Sequence, residues 1–280
     1  MSNESFRKEG AMSKVAVSLD GLPIHYEVQG HGLPALVFVH GWCCDRSYWQ
    51  KQLSHFALHY TVVAVDLGGH GASGLNRNTW SMSAFGDDVV AVMEQLGLAQ
   101  VILIGHSMGG PVIIEATRRM PTPVIGLIGV DTLGNPERTR TKAEIDAFIA
   151  PFRIDFRKTI SEFVPSNMFV PTSDAALVAI IVEDMAAAPP QVGCAAAEAL
   201  LSYEANLKAA LQAAPAPIVL INAENRSTDL AAAERYGLAV KLMSGVGHFV
   251  MIEDPETFNH LLEETIKHFL AAADPKEQHL

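Results

Sequence analysis

The sequence predicts an α/β fold: an open, mostly parallel, doubly wound sheet with helices on both faces and a helical cap inserted into the chain. Short apolar runs alternate with segments of helical periodicity, and this alternation is typical of parallel sheets. Several of the apolar runs have no polar face, as expected for strands that helices cover on both sides. One long stretch, 132–214, breaks the alternation and predicts the cap.

Seven apolar runs are predicted as strands, and five segments with helical periodicity are predicted as helices. The strands are placed at 24–28, 35–40, 62–66, 101–105, 125–131, 218–222 and 239–243, and the helices at 48–58, 82–96, 108–120, 229–236 and 255–273. No repeat of roughly 20–50 residues is visible, which excludes a solenoid or a propeller.

The stretch 132–214 contains no convincing strand and consists of alanine-rich or charged helical pieces. Prolines punctuate it at Pro151, Pro165, Pro171, Pro189 and Pro190. We expect an all-helical insertion between two strands that covers one edge of the sheet. The predicted organisation is a flexible leader at 1–12, an α/β core formed by 13–131 and 215–273, the cap at 132–214, and a tail at 274–280.

Charge and hydropathy exclude several classes of partner. The formal net charge is −11, and the basic residues form no run, so a nucleic-acid partner is not expected, because phosphate-backbone binding depends on clustered positive charge. The longest stretch without a charged residue, 95–114, contains four glycines and a proline, which favours a buried strand, turn and helix over a membrane span. Residues 1–13 lack the apolar segment of a signal peptide. We therefore expect a cytoplasmic protein without a membrane partner.

The three cysteines predict no disulfide and no metal site. Cys43 and Cys44 are adjacent and Cys194 stands alone, which is neither a disulfide framework nor the spacing of a zinc site. We expect reduced thiols that fill space in the core, and neither a metal nor another cofactor. The oligomeric state stays open.

The segment Gly105-His106-Ser107-Met108-Gly109 carries the strongest functional signal. It joins an apolar run to a helical run, so this G-x-S-x-G pattern lies in a strand–turn–helix context. Such a turn strains the backbone at the serine and leaves no room for side chains two residues before and after it. It also exposes the hydroxyl near a helix N-terminus, where N–H groups stabilise a developing oxyanion. Ser107 is therefore the candidate nucleophile.

A second oxyanion donor is expected from His40-Gly41-Trp42, which follows another predicted strand. The backbone N–H of Trp42 is the candidate, paired with the N–H of Met108 directly after the nucleophile. The Trp42 side chain is expected to form a pocket wall. The alternative is that His40 and Gly41 only shape a tight turn.

The general base is expected to be a histidine on a loop after a late strand. Among eleven histidines, His248 stands out, because it lies between Gly247 and an apolar run and follows the predicted strand at 239–243. The carboxyl ends of parallel strands are where open α/β sheets place their ligands.

Two carboxylates compete for the role of triad acid. Asp131 ends one predicted strand and Glu224 follows the next, and either satisfies the chain order of nucleophile, acid and base. Either could accept the Nδ1–H of His248 and stabilise the imidazolium.

Taken together, four motifs make the chain resemble the serine-nucleophile branch of the α/β-hydrolase superfamily from about 18 to 270. They are His40-Gly41-Trp42, the glycine-rich loop 66–73, the elbow 105–109, and the segment 245–249 followed by Glu253-Asp254-Pro255.

The resemblance also bears on the choice of acid. Family members usually carry an Asp shortly after the strand predicted at 218–222, and that pattern brings Arg226 to the usual Asp position. Some relatives, such as haloalkane dehalogenases, place the acid after the preceding strand, where Asp131 stands. The resemblance therefore favours Asp131, with Glu224 as the alternative and Asp229 behind it.

The resemblance implies a serine hydrolase that cleaves a carboxylic ester, or a related amide or thioester, of a small molecule through an acyl-enzyme intermediate. Dehalogenases and epoxide hydrolases of the family carry Asp at the elbow, so Ser107 excludes their chemistry. The alternatives are a small-molecule receptor or signalling protein on the same fold, and a cofactor-free lyase or peroxidase.

The cap is expected to line the acyl pocket with Phe148, Phe152, Phe163, Met168 and Phe169, although an ordinary place in the cap core is an equal alternative for each. Arg153 and Arg157 would suit an acidic substrate, but a position facing solvent is expected for both.

Overall fold

The computed structural model describes residues 13–120 and 122–273. Its strands are β1 (Lys14–Val17), β2 (Pro23–Gln29), β3 (Ala35–Val39), β4 (Val62–Val65), β5 (Val101–His106), β6 (Val124–Val130), β7 (Ile218–Ala223) and β8 (Ala239–Met243). They form one eight-stranded sheet in the order β1-β2-β4-β3-β5-β6-β7-β8. The β1–β2 and β2–β4 pairings are antiparallel, and all pairings from β4 to β8 are parallel. The predicted fold class is confirmed.

Helices flank this sheet and also follow one another between two of its strands. They are α1 (Gln50–Phe56), α2 (Met82–Leu96), α3 (Gly109–Thr117), α4 (Lys142–Ile154), α5 (Phe156–Met168), α6 (Ala175–Ala186), α7 (Pro190–Gln212), α8 (Leu230–Arg235), α9 (Val250–Glu253) and α10 (Pro255–Ala273). Local capping signals delimit several of them. The Ser81 hydroxyl caps α2 by accepting from the Ala84 N–H at 3.0 Å, and Gly97 ends that helix with a φ of 60°, a left-handed conformation that suits glycine.

All seven predicted strands are present, but the prediction missed β1. This strand has four residues, of which only Ala16 is buried, so it shows neither an apolar run nor an alternation that reveals a strand. The helix predicted at 48–58 is shorter than expected, because a 3₁₀ turn at Arg46–Trp49 precedes α1. The leader predicted at 1–12 and the tail predicted at 274–280 lie outside the described residues.

Four helices, α4 to α7, lie in the chain between β6 and β7. Hydrogen bonds fasten them to the sheet-bearing part of the molecule, from Trp42 Nε1 to the Gly193 carbonyl at 2.7 Å, from Tyr48 Oη to Asp184 at 2.8 Å, and from Tyr203 Oη to Glu115 at 2.7 Å. None of the helices in the described ranges is by itself long and apolar enough to cross a membrane, and α6 and α7 pass that test only as a pair that is bent by 99°.

The strand order places a switch in chain direction at the centre of the sheet. From β3 the chain moves to β4 on one side, and it later returns to β5 on the other side. Clefts form beyond the carboxyl ends of strands at such a switch, and ligands bind there in open α/β sheets. The loops that follow β3, β5, β6, β7 and β8 all reach this edge.

A buried ion pair joins α2 to the loop that precedes it. Arg77 and Asp88 have side chains that are 2% and 0% exposed. Asp88 also accepts hydrogen bonds from the Ser18 hydroxyl at 2.7 Å and from the Gly68 N–H at 2.9 Å. Removing one partner of such a pair leaves a buried charge without compensation, which is costly.

We expect Asp88→Ala to lower the free energy of unfolding by about 3–5 kcal/mol, because Arg77 stays buried without its main counterion. Urea titration followed by circular dichroism measures this change. Lys142→Ala is the control, since Lys142 pairs with Asp146 at the surface, and it should leave the midpoint unchanged. Equal midpoints for the two variants would contradict the prediction.

Candidate active site

Ser107 lies in the tight turn between β5 and α3. Its φ is 52°, in the left-handed region that a non-glycine residue rarely adopts and that costs conformational energy. Tertiary contacts hold it there: the Ser107 N–H donates to the Val130 carbonyl at 2.9 Å, and the Ser107 carbonyl accepts from the Thr132 hydroxyl at 2.7 Å. The observed strain matches the expectation for a nucleophile elbow.

The glycines on either side of Ser107 are required by close backbone packing. A Cβ atom built on Gly105 would lie 2.3 Å from the Gly109 carbonyl oxygen, and one built on Gly109 would lie 2.6 Å from the carbonyl oxygen of Val39. Real Cβ atoms do not approach backbone oxygen this closely. The prediction that this turn admits no side chain two residues before or after the serine therefore agrees with the geometry.

The two predicted oxyanion donors lie beside Ser107. A Cβ atom on Gly41 would lie 3.1 Å from Cβ of Ser107, so the chain between His40 and Trp42 passes directly over the turn. Among the described residues, neither the Trp42 N–H nor the Met108 N–H has a hydrogen-bond acceptor. Free backbone N–H groups next to a serine hydroxyl are what stabilisation of an oxyanion requires.

His40 fixes the loop that carries Trp42. Its Nε2 accepts from the Leu67 N–H at 3.0 Å, and its Nδ1 donates to the Gly41 carbonyl at 2.8 Å. Burial lowers the pKa of His40 to about 4, which keeps the ring neutral in this tautomer. His40 thus shapes the turn, and the Trp42 side chain forms a wall of the cavity as expected.

His248 is held by its backbone from two sides. Its N–H donates to the Met168 carbonyl at 2.6 Å, and its carbonyl accepts from Nε2 of His106 at 3.0 Å. The two imidazole rings lie 4.5 Å apart between centroids. Burial lowers the pKa of His106 well below its usual value, so His106 acts as a neutral support beneath His248.

Asp131 is the carboxylate that the structure brings to His248. Its Oδ2 accepts a hydrogen bond from Nδ1 of His248, and its Oδ1 accepts from the Ala223 N–H at 2.9 Å. A guanidinium lies on the same carboxylate, with Nε of Arg226 at 2.8 Å from Oδ2. Because Nδ1 of His248 donates to Asp131, Nε2 is the ring nitrogen that can accept a proton.

The other two carboxylates considered from the sequence do not reach His248. Glu224 is exposed, and its backbone N–H bonds to the Met243 carbonyl at 2.8 Å. Asp229 caps α8 by accepting from the Ala232 N–H at 2.9 Å.

Ser107 and His248 face one cavity of about 230 Å³ beneath the cap helices. The Ser107 hydroxyl makes no hydrogen bond to any of the described residues. Hydrogen bonds between catalytic groups are often long without substrate and shorten in the substrate complex. The observation that links Ser107 to His248 is therefore the cavity that both residues line.

Aromatic and aliphatic side chains form most of the cavity wall. Phe148, Phe163 and Met168 line it as expected, together with Cys44, Met185, Ala197, Leu200, Leu201 and Phe249. Phe152 and Phe169 do not: Phe152 packs edge-on against Trp42 with a centroid distance of 5.4 Å, and Phe169 packs on Phe249 at 5.4 Å. For these two residues the structure shows the other alternative that the sequence left open, because Phe152 belongs to the hydrophobic core and Phe169 packs against it.

The predicted orientation of Arg153 and Arg157 towards solvent holds. Both are exposed and pair with Glu198 and Glu183 on neighbouring cap helices. Two other arginines line the cavity instead, Arg140 and Arg226. The sequence contained a signal for Arg226, which occupies the usual position of the triad acid, but none for Arg140.

Comparison with known proteins points to a single family. The model of the alpha/beta hydrolase family matches residues 36–261. The protein named 3-oxoadipate enol-lactonase 2 from Acinetobacter baylyi is 25% identical over 84% of this chain and 90% of its own length. A putative esterase/lipase from Haemophilus influenzae is 35% identical over 42% of this chain and 40% of its own. The chain spans less than half the length of two of these curated relatives: 40% of the Haemophilus influenzae protein, and 35% of a dihydrolipoyllysine-residue acetyltransferase component of an acetoin cleaving system from Cupriavidus necator.

Solved structures share the fold along almost the whole chain. A thermophilic esterase from Thermogutta terrifontis superposes with a TM-score of 0.80 at 22% identity, and the match covers 93% of this chain and 99% of that one. At this level of identity the likeness establishes the fold.

We expect Gly105→Ala to reduce activity by about 100-fold or more, because the added methyl group displaces the turn that holds Ser107, and errors near 1 Å at a reactive group have costs of this size. Initial rates on a chromogenic ester measure the loss. Gly237→Ala is the control: an alanine there strains the backbone, because the φ of Gly237 is 67°, but its Cβ meets nothing within 4 Å. A Gly105→Ala enzyme as active as this control would contradict the packing argument.

Proposed function

This chain belongs to the alpha/beta hydrolase family, and on that premise we propose that it is a serine hydrolase that cleaves carboxylic esters of small molecules through an acyl-enzyme intermediate. The observation that carries the proposal is the hydrogen bond from His248 to Asp131 at the wall of the cavity that Ser107 also lines. The three residues that we propose as nucleophile, base and acid lie on three loops at one edge of the sheet.

In the first half of the proposed reaction, Ser107 attacks the ester carbonyl carbon. Nε2 of His248 removes the proton from Oγ, and the resulting imidazolium is stabilised by Asp131. The carbonyl electrons move to oxygen, and the N–H groups of Trp42 and Met108 hold the oxyanion. When the intermediate collapses, His248 gives its proton to the departing alcohol and the acyl group stays on Oγ.

In the second half, water replaces the alcohol. His248 removes a proton from a water molecule that attacks the acyl carbon, and a second oxyanion forms between the same two N–H groups. Collapse returns the proton to Ser107 and releases the carboxylic acid. Besides the ester and water, the proposed steps use only residues of this chain.

Several observations support an ester substrate of modest size. The cavity volume of about 230 Å³ is below the range of roughly 300–1,000 Å³ that is usual for drug-sized ligands. One relative is named as a putative esterase/lipase and another as an enol-lactonase, and both names refer to enzymes that act on esters or lactones. An amide or thioester would follow the same steps.

We expect Ser107→Ala to abolish both ester turnover and covalent labelling by a fluorophosphonate. The methyl side chain offers no nucleophile, and only the residual rate from binding and the oxyanion donors remains. Rates on a panel of short-chain esters and the mass of the labelled protein give the two readouts. Stoichiometric labelling of the unaltered protein without turnover on any ester would instead favour a receptor on this fold.

We expect Asp131→Asn to lower kcat by up to about 10⁴-fold, since an amide cannot stabilise the imidazolium or fix the tautomer in the same way. Glu224→Gln makes the same chemical change at the exposed carboxylate. It should leave kcat within about twofold, because substitutions of exposed residues usually have small effects. The opposite ranking of the two variants would move the acid to Glu224.

A further inference from the structure

The wall of the cavity that Ser107 lines contains two cationic side chains. Two guanidinium groups, those of Arg140 and Arg226, line it, and no Asp or Glu side chain among the described residues does. The protein as a whole carries a net charge of −11, so the charged side chains of the cavity wall have the sign opposite to the overall charge. Each of the two is paired with a carboxylate that does not line the cavity, Arg140 with Glu204 and Arg226 with Asp131. Concave sites with one sign of charge concentrate ligands of the opposite sign.

Arg226 is fixed on two sides. Its Nε lies 2.8 Å from Oδ2 of Asp131, and its Nη1 donates to the Asn167 carbonyl at 2.6 Å. The guanidinium therefore spans the gap between the loop after β7 and the end of α5. Asp131 partly offsets its charge. We therefore expect Arg226 to attract an anionic ligand through its charge and not through direct hydrogen bonds.

Arg140 has more unpaired N–H groups than Arg226. It stands directly before the N-cap of α4, and its Nη1 contacts Oε1 of Glu204 on α7. The second oxygen of Glu204 is buried and has no hydrogen-bond partner, so Glu204 binds the guanidinium at one point only. A guanidinium carries five N–H groups. Nε and Nη2 of Arg140 have no acceptor among the described residues, and the side chain is 19% exposed.

We propose that the substrate carries a carboxylate in addition to its ester, and that Arg140 binds this carboxylate. The inference rests on the proposed ester hydrolysis and names its substrate class. The planar fork of a guanidinium matches the two oxygens of a carboxylate, and the attraction is strengthened where solvent is partly excluded. The aliphatic wall then holds the methylene chain between carboxylate and ester.

Matched esters test this directly. The monomethyl esters of succinic, glutaric and adipic acid carry a free carboxylate at increasing distance from the ester, and the methyl esters of butyric, valeric and caproic acid are neutral partners of similar length. The unaltered enzyme should prefer the best acid ester over its neutral partner by about 10–100-fold in kcat/KM, the range for hydrogen bonds to a charged group. The preference should shrink as salt is added, because screening weakens the attraction.

Substitutions assign the preference to a residue. Arg140→Gln should remove it, mainly through KM for the acid ester, and Arg140→Lys should keep part of it because the charge remains. Arg153→Gln makes the same change on α4 at an exposed arginine outside the cavity, and it should keep the full preference. Thermal unfolding of each variant shows whether the fold is intact.

The possible results separate this inference from the proposed function. Turnover of neutral and acid esters at equal efficiency, or a preference that survives Arg140→Gln, overturns the inference and leaves ester hydrolysis standing. If no ester is turned over, ester hydrolysis fails, and calorimetric titration of Ser107→Ala with monomethyl glutarate still decides the inference. Binding that is lost in the double variant with Arg140→Gln supports it, and no binding overturns it.

Discussion

The turn at Ser107 depends on backbone segments that approach each other with no side chain between them. Gly105 at the end of β5 faces the carbonyl of Gly109 at the start of α3, and Gly109 in turn faces the carbonyl of Val39 at the end of β3. Because β3 and β5 are neighbours in the sheet, the same packing sets the position of the Trp42 loop relative to Ser107. A serine with a φ of 52° is maintained only because its surroundings determine it so fully.

The charges of the site are arranged around one buried carboxylate. Asp131 has a side chain that is 2% exposed, and burying a carboxylate is costly unless donors compensate it. Three donors do so here, from His248, from the backbone of Ala223 and from Arg226. The histidine that supports His248 from below stays neutral, since burial lowers the pKa of His106. The charges of Arg140 and Arg226 in the cavity wall are each balanced by a carboxylate, Glu204 and Asp131.

The cap completes the cavity and is tied to the helix behind the nucleophile. Tyr203 of α7 donates to Glu115 of α3 at 2.7 Å, and Glu115 also pairs with Arg118 and Arg119, which follow α3 in the chain. The aromatic side chains of α4 and α5 form the roof, where Phe148 packs edge-on against Phe163 with a centroid distance of 5.6 Å. The cap thus controls the size of the cavity, while the loops after the strands supply its reactive groups.

Local patterns alone determined much of this protein. The alternation of apolar runs and helical segments was sufficient to predict the parallel strands, and the glycines around Ser107 marked the elbow, because both features can be recognised in short stretches of consecutive residues. The short strand β1 was not predicted, because a strand with one buried residue shows no alternation of apolar and polar residues. The tertiary structure decided which carboxylate meets His248, which cap aromatics face the cavity, and that Arg140 reaches it. Those outcomes depend on contacts between residues far apart in the chain. The packing of whole helices and strands sets the directions of these side chains, and the local sequence does not encode them.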